Sequence, residues 1–257
     1  LTPVPAISLK CHALVVAYSS AITMKTPLLL LALALPAFSA EPNTLDAGEK
    51  ADGFVLLFDG KSLDGWRTYK QENAKPQWQV VDGAITLTAG GGGDLITTGV
   101  YQDFDFRWEW KIVEGGNSGV MWRVAETDGP PYRTGPEYQL LDSFDKPSHK
   151  YPHELPPGNV AGALYGLVPG KPEWSKPVGE WNESRLLVQG TKFTLFLNGQ
   201  LTAEVDTASD AWKAMLAKSK FAGWDRFARE ATGHLCLQDH GDAVSFRNLR
   251  IKEIKTP

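Results

Sequence analysis

A chain of 257 residues with 42% apolar and 22% charged side chains can bury the core of one large domain. Its formal net charge of -4 provides no basic footprint, so no nucleic-acid partner is expected. Nine tryptophans suit the core and cleft walls of a β-protein.

The chain order begins with an address. Met24-Lys25 precedes an apolar run over 28–35, then the small residues Ala37, Ser39 and Ala40 ahead of Glu41. A basic start, a short apolar stretch and small residues before a polar segment predict a signal peptide over 24–40, and hence export to the periplasm or beyond. Cleavage after Ser39 or Ala40 fits the small residues. The run is too short to span a bilayer comfortably, and with no Cys behind it no lipid or membrane anchor is expected after its removal. Residues 1–23 read as a start site placed too early, or alternatively as a long leader. A polar linker follows over 41–52, and 53–257 reads as one domain. Of the two cysteines, Cys11 lies ahead of the cut, so Cys236 has no disulfide partner and reads as a small buried apolar residue.

From 54 onward the chain alternates short β-rich runs with Gly, Pro, Asn and Asp turns. Strands are predicted over 54–58, 78–81, 84–88, 104–113, 119–124, 138–142, 162–167, 183–189, 192–197, 200–206, 234–238 and 244–253. Asp82-Gly83 and Asn198-Gly199 mark tight hairpins. Many short antiparallel strands predict an all-β sandwich or jelly roll of two sheets. One helix is predicted over 209–221, capped by Ser209 or Asp210, with Trp212, Met215 and Leu216 on one face. Residues 126–136 and 144–159 read as long loops of the kind that rim functional sites. The run of four glycines over 90–93 lacks the Lys-Ser/Thr of a phosphate loop and reads as flexible.

Residues i, i+2 and i+4 of a strand share a face. Over 106–112 the set Phe106, Trp108, Trp110 and Ile112 opposes Arg107, Glu109 and Lys111, as any solvent-facing strand would show. Glu137 and Gln139 share a face on a second strand, although Leu141 breaks the pattern. On a third, Leu235 and Leu237 oppose Gln238 and His240. These strands are expected to combine into one concave polar face that handles a carbohydrate, with the Gly-rich corner at Asn117 beside it.

Several runs, taken in order, resemble the 3-keto-disaccharide hydrolase domain family. They include Leu57-Phe58-Asp59-Gly60, Gly93-Asp94-Leu95-Ile96-Thr97, Gly116-Asn117-Ser118-Gly119 and Glu137-Tyr138-Gln139-Leu140-Leu141-Asp142. Gly162-Ala163-Leu164-Tyr165, Glu180-Trp181-Asn182, Leu237-Gln238-Asp239-His240-Gly241 and Phe246-Arg247-Asn248 continue the series to nearly residue 254. The resemblance implies a concanavalin A-like fold and cleavage of glycosides already oxidised to a ketone at C3.

Such a substrate reacts by loss of the acidified C2 hydrogen, expulsion of the C1 oxygen and later addition of water. That chemistry needs a base, a cation at the enolate oxygen and an acid for the leaving group. His240 is assigned as base, because imidazole titrates near neutrality. Glu137 is the leaving-group acid or an alternate base. Lys111 or Arg123 holds the ketone oxygen, and Glu109 orients Lys111. Asn117, Gln139, Asp142, Tyr165 and Gln238 bind the sugar. No cofactor is expected. A divalent metal on Glu109, Glu137, Asp142 and His240 has no diagnostic spacing to support it, and His149 and His153 stand i, i+4 in a loop rather than on a helix. Two alternatives remain. A retaining glucanase would want paired carboxylates, and Gln139 and Leu141 stand where the second is expected, leaving Glu109 to supply it from a neighbouring strand. A non-catalytic carbohydrate-binding module would need no base.

Overall fold

A computed structural model describes residues 41–143 and 155–255. The signal segment, Cys11, His149 and His153 lie outside the described residues. A short helix α1 (Ala47–Asp52) leads into β1 (Val55–Leu56), β2 (Trp66–Thr68), β3 (Trp78–Val81), β4 (Ala84–Leu87) and β5 (Leu95–Thr97). The long strands β6 (Phe104–Ile112) and β7 (Asn117–Val124) precede β8 (Glu137–Leu141). Then come β9 (Asn182–Gln189), β10 (Lys192–Leu197), β11 (Gln200–Asp206), helix α2 (Asp210–Ala217), β12 (His234–Leu237) and β13 (Val244–Glu253).

These strands form two antiparallel sheets, as the alternating β-pattern requires. The larger is ordered β11-β10-β9-β6-β13-β4-β3, with β1 also paired to β13, and the smaller β2-β5-β12-β7-β8. Strand β13 gives one edge to β6 and shares the other between β4 and β1. Its register shifts between Arg247 and Arg250, where Asn248 adopts φ 53°.

Between the sheets lies a core of large side chains. Trp108 stacks on Phe106 at 4.8 Å and meets Tyr138 edge-on at 5.1 Å. A polar stitch crosses this core. Trp110 Nε1 donates to Ser184 Oγ (2.9 Å), Ser184 Oγ to the Tyr138 hydroxyl (3.0 Å), and that hydroxyl to the Phe196 carbonyl (3.0 Å). Tyr138 belongs to the smaller sheet and the other three members of the stitch to the larger, so satisfying these buried groups fixes how the sheets face each other. It also fixes the facing of β8: with Tyr138 and Leu140 in the core, Glu137 and Gln139 point outward.

Several expectations are corrected. Strands β2 and β5 were not foreseen, because three-residue strands buried throughout or nearly so show no clear alternation. Residues 162–167 form no strand, only bridges at Leu164. The helix stops at Ala217, short of 221, because Ser219 Oγ donates to the Leu216 carbonyl and accepts from Phe221 N, closing a turn. Trp212, Met215 and Leu216 do pack on the core. The segment read as a linker carries α1, capped by Asp46 in a capping box with Glu49. It is tied to the larger sheet by Glu49–Arg250 (2.5 Å) and by mutual hydrogen bonds of Asn43 and Asn248. The glycine run read as flexible is held: Gly91 N and Gly93 N donate to Asp239 Oδ2 at 3.0 and 2.8 Å. Among the described residues no helix is long and apolar enough to cross a membrane.

Replacing Tyr138 by Phe cuts the stitch at its middle, leaving the buried Ser184 hydroxyl without its acceptor and the part-buried Phe196 carbonyl without its donor. Urea denaturation should show a loss of about 1–3 kcal/mol, the cost of orphaned buried polar groups.

Candidate active site

Glu137 and Gln139 point outward from the smaller sheet, yet they are only 7% and 3% exposed. Two segments cover them. Residues 161–165 run along the open edge of β8, with Gln139 N donating to Ala163 O, Gly162 N to Gln139 O and Tyr165 N to Glu137 O. Residues 219–227 bring Phe221, Trp224 and Phe227 over the same face. The result is a cavity of about 320 Å³, a volume suited to a small ligand. Its polar lining comprises Asn117, Glu137, Gln139, Lys220, Gln238 and His240; Tyr132, Tyr165, Phe221, Trp224 and Phe227 provide rings.

The strands set each polar group. Gly119 of β7 lies opposite Gln139, two residues along β8 from Glu137, and a Cβ on it would come within 2.3 Å of Glu137 Oε1. Only a glycine leaves room for the carboxyl. Asn117 Oδ1 accepts from Gln139 Nε2 at 3.1 Å. At the end of β12, Asp239 turns away from the cavity: its N donates to Asp94 Oδ1 (3.0 Å), and its carboxylate holds Gly91, Gly93 and Gly241. This knot seats the flanking Gln238 and His240 at the rim.

Burial dominates the electrostatics. It pushes the Glu137 carboxyl up to about 8, helped by the charge of Asp94 and opposed by Lys220 and a hydrogen bond from Gln238. Glu137 therefore carries a proton at neutral pH. Asp94 is raised to about 6, again mainly by burial, and burial pushes the Cys236 thiol far up. Lys220 Nζ lies 3.9 Å from the Tyr165 ring centroid, so its charge is held at the cavity. Among the described residues, no three of His, Cys, Asp and Glu converge as a metal site.

A family model described as the 3-keto-alpha-glucoside-1,2-lyase-like domain matches residues 53–252. The chain belongs to this family. A 3-keto-disaccharide hydrolase of Bacteroides thetaiotaomicron is 32% identical over 243 residues, covering 83% of each chain. A solved structure from Parabacteroides distasonis, provisionally named a glycosyl hydrolase, is 33% identical with a TM-score of 0.75. The match covers 84% of this chain and all of that one. A second such structure from the same organism is 25% identical with a TM-score of 0.61, covering 78% and 99%.

In this member of the family the cavity gathers six of the ten residues picked from sequence: Asn117, Glu137, Gln139, Tyr165, Gln238 and His240. Four others lie elsewhere. Glu109 and Lys111 sit on the outer face of the larger sheet, across the core. There Glu109 accepts from Arg247 (2.7 Å) and Asn248 (2.6 Å), and Lys111 lies over the Trp181 ring at 4.9 Å. Arg123 occupies a β-bulge at φ 53°, and its guanidinium donates to the carbonyls of Gln102 and Gly190 and to Asp103. Asp142 accepts from Gly115 N at 2.7 Å and clamps the β6–β7 corner. Sequence reasoning missed Lys220 and the rings of Tyr132, Phe221, Trp224 and Phe227. The three-residue spacing of Phe221, Trp224 and Phe227 was the available signal, hidden by reading Phe221 into the helix.

Gly119→Ala should cost about 1–3 kcal/mol of stability from overpacking. It should also move the Glu137 carboxyl out of its buried seat. By carbon-13 NMR, the Glu137 titration midpoint, about 8 in the wild type, should fall toward the ordinary carboxylate range in the variant.

Proposed function

We propose that this cavity hydrolyses glycosides bearing a ketone at C3 of the sugar, by elimination across C1–C2 followed by hydration. The observation that carries this reading is the meeting, in one sugar-sized cavity, of a carboxyl held protonated, a lysine and a histidine. The family description and the 3-keto-disaccharide hydrolase relative support the same class of reaction.

In the first step His240 takes the proton from C2, and the electron pair forms an enolate across C2 and C3. Lys220 lies on the polar side and stabilises the oxygen that becomes negative, a role assigned from sequence to Lys111 or Arg123. The enolate then reforms the C3 ketone, makes a C1–C2 double bond and expels the C1 oxygen. Glu137 donates its proton to that oxygen as it leaves, the work of an acid whose pKa lies near the working pH. Water next adds to C1 while C2 regains a proton, so the net change is hydrolysis.

Asn117, Gln139, Tyr165 and Gln238 hold the hydroxyls. Gln238 Oε1 is buried with no partner among the described residues, and a sugar hydroxyl would satisfy it. The glucanase alternative loses support, since Glu109, its candidate second carboxylate, belongs to the opposite sheet. The signal-like pattern over 24–40 supports an activity exerted outside the cytoplasm.

Purified protein should cleave 3-keto-trehalose and leave trehalose intact. Binding of either sugar without cleavage would favour the module, and cleavage of trehalose the glucanase. Glu137→Gln should lower kcat by about 10²–10⁴-fold, as for loss of a general acid, and His240→Ala by a similar factor. Full turnover by both variants would sink the assignment.

Glu137 also links stability to pH. Its folded pKa lies above its ordinary value, so the folded state binds the extra proton. Wild-type stability should therefore fall as pH rises from about 4.5 to about 8, then level off. Thermal melts of Glu137→Gln should lose the part of that slope above about pH 6, since Asp94, raised to about 6, keeps its own below, and the variant should melt above the wild type at pH 8.

A further inference from the structure

The cavity is divided between a polar side and an aromatic wall. Phe221 and Phe227 stack in parallel with centroids 4.2 Å apart, and Trp224 meets them edge-on at 5.0 and 6.0 Å. Backbone hydrogen bonds from Trp224 N to Phe221 O and from Phe227 N to Trp224 O coil the segment so that the three rings cluster. Neighbouring segments brace the wall. Ala228 N donates to Thr134 O, Arg133 lies over Trp224 at 4.4 Å, and Tyr132 stands 5.8 Å from it. Contacts within the chain itself hold the wall in place.

The two sides suit different parts of a glycoside. The oxidised ring carries a ketone and hydroxyls, which need the donors and acceptors of the polar side. Aromatic faces offer those groups little, but they bury flat apolar surface well. Glu137, which lines the same cavity, protonates the oxygen that joins the two parts. We infer that the aromatic wall is the leaving-group subsite, selecting alcohols that carry a ring with a flat apolar face over small alkyl alcohols. An aryl ring and the CH face of a hexose both present such a surface. This assignment rests on the reaction proposed above for which part of the substrate departs.

The test compares benzyl and methyl 3-keto-glucosides, whose leaving alcohols differ little in acidity, with 3-keto-trehalose as the hexose arm. In the wild type, kcat/KM should favour benzyl over methyl. Trp224→Ala and Tyr132→Ala should each lower the benzyl-to-methyl ratio, by about tenfold for Trp224. Tyr132 is 42% exposed, so its removal leaves the fold intact if the tryptophan variant does not. A parallel fall for 3-keto-trehalose extends the subsite to hexoses, and no fall restricts it to aryl rings. An unchanged benzyl-to-methyl ratio in both variants overturns the inference while leaving the reaction standing. Calorimetry with unoxidised benzyl and methyl glucosides separates the two failures, because it needs no turnover. A benzyl preference lost on Trp224→Ala keeps the subsite even if no keto-glycoside is cleaved, and equal affinity in the wild type contradicts it.

Discussion

A carboxyl is buried on the outer face of the smaller sheet, and the arrangement of the site follows from that constraint. An isolated carboxylate cannot be buried cheaply, so Glu137 keeps its proton at neutral pH instead. Keeping it there requires an empty position on the neighbouring strand, which Gly119 supplies, and a cover over the strand edge, which 161–165 and 219–227 supply. A proton held ready on a buried carboxyl in the cavity that Lys220 also lines is what an alkoxide leaving group needs.

The sandwich builds this site from behind. Strand β8 presents Glu137 outward because Tyr138 is locked inward by Ser184 and Phe196 of the opposite sheet. The rim is set in the same way, by a carboxylate taken up with backbone amides: Asp239 gathers the glycine run and Gly241, leaving its neighbours Gln238 and His240 at the cavity. Structural polar groups and functional ones thus alternate along the same short strands and turns.

That alternation explains what the sequence revealed and what it hid. Period-two patterning identified most of the longer strands and, where it was read on β6, β8 and β12, told inward from outward. It could not tell which sheet a strand joins, and Glu109 and Lys111 show the consequence. They point outward as read, but from β6 of the larger sheet, so the core separates them from Glu137. Arg123 failed for a different reason. It was chosen for its charge alone, and a bulge at that point of β7 leaves its guanidinium on Gln102, Gly190 and Asp103 instead of at the cavity. Lys220, Phe221 and Trp224 lie in a turn-rich segment with neither period, and only tertiary contact brings them to the site. The residues that did fall together, among them Glu137, Gln139, Gln238 and His240, come from the smaller sheet and the turn that follows it.

The central claim is that C2 gives up its hydrogen before the glycosidic bond breaks. The direct measurement is cleavage of 3-keto-trehalose in D₂O, stopped at low conversion, with the released 3-keto-glucose analysed by mass spectrometry and proton NMR. Authentic 3-keto-glucose incubated alongside corrects for exchange in the product. Elimination and hydration predict one deuterium at C2 of the released sugar. A product that retains its C2 hydrogen would contradict the account and point to direct displacement at C1.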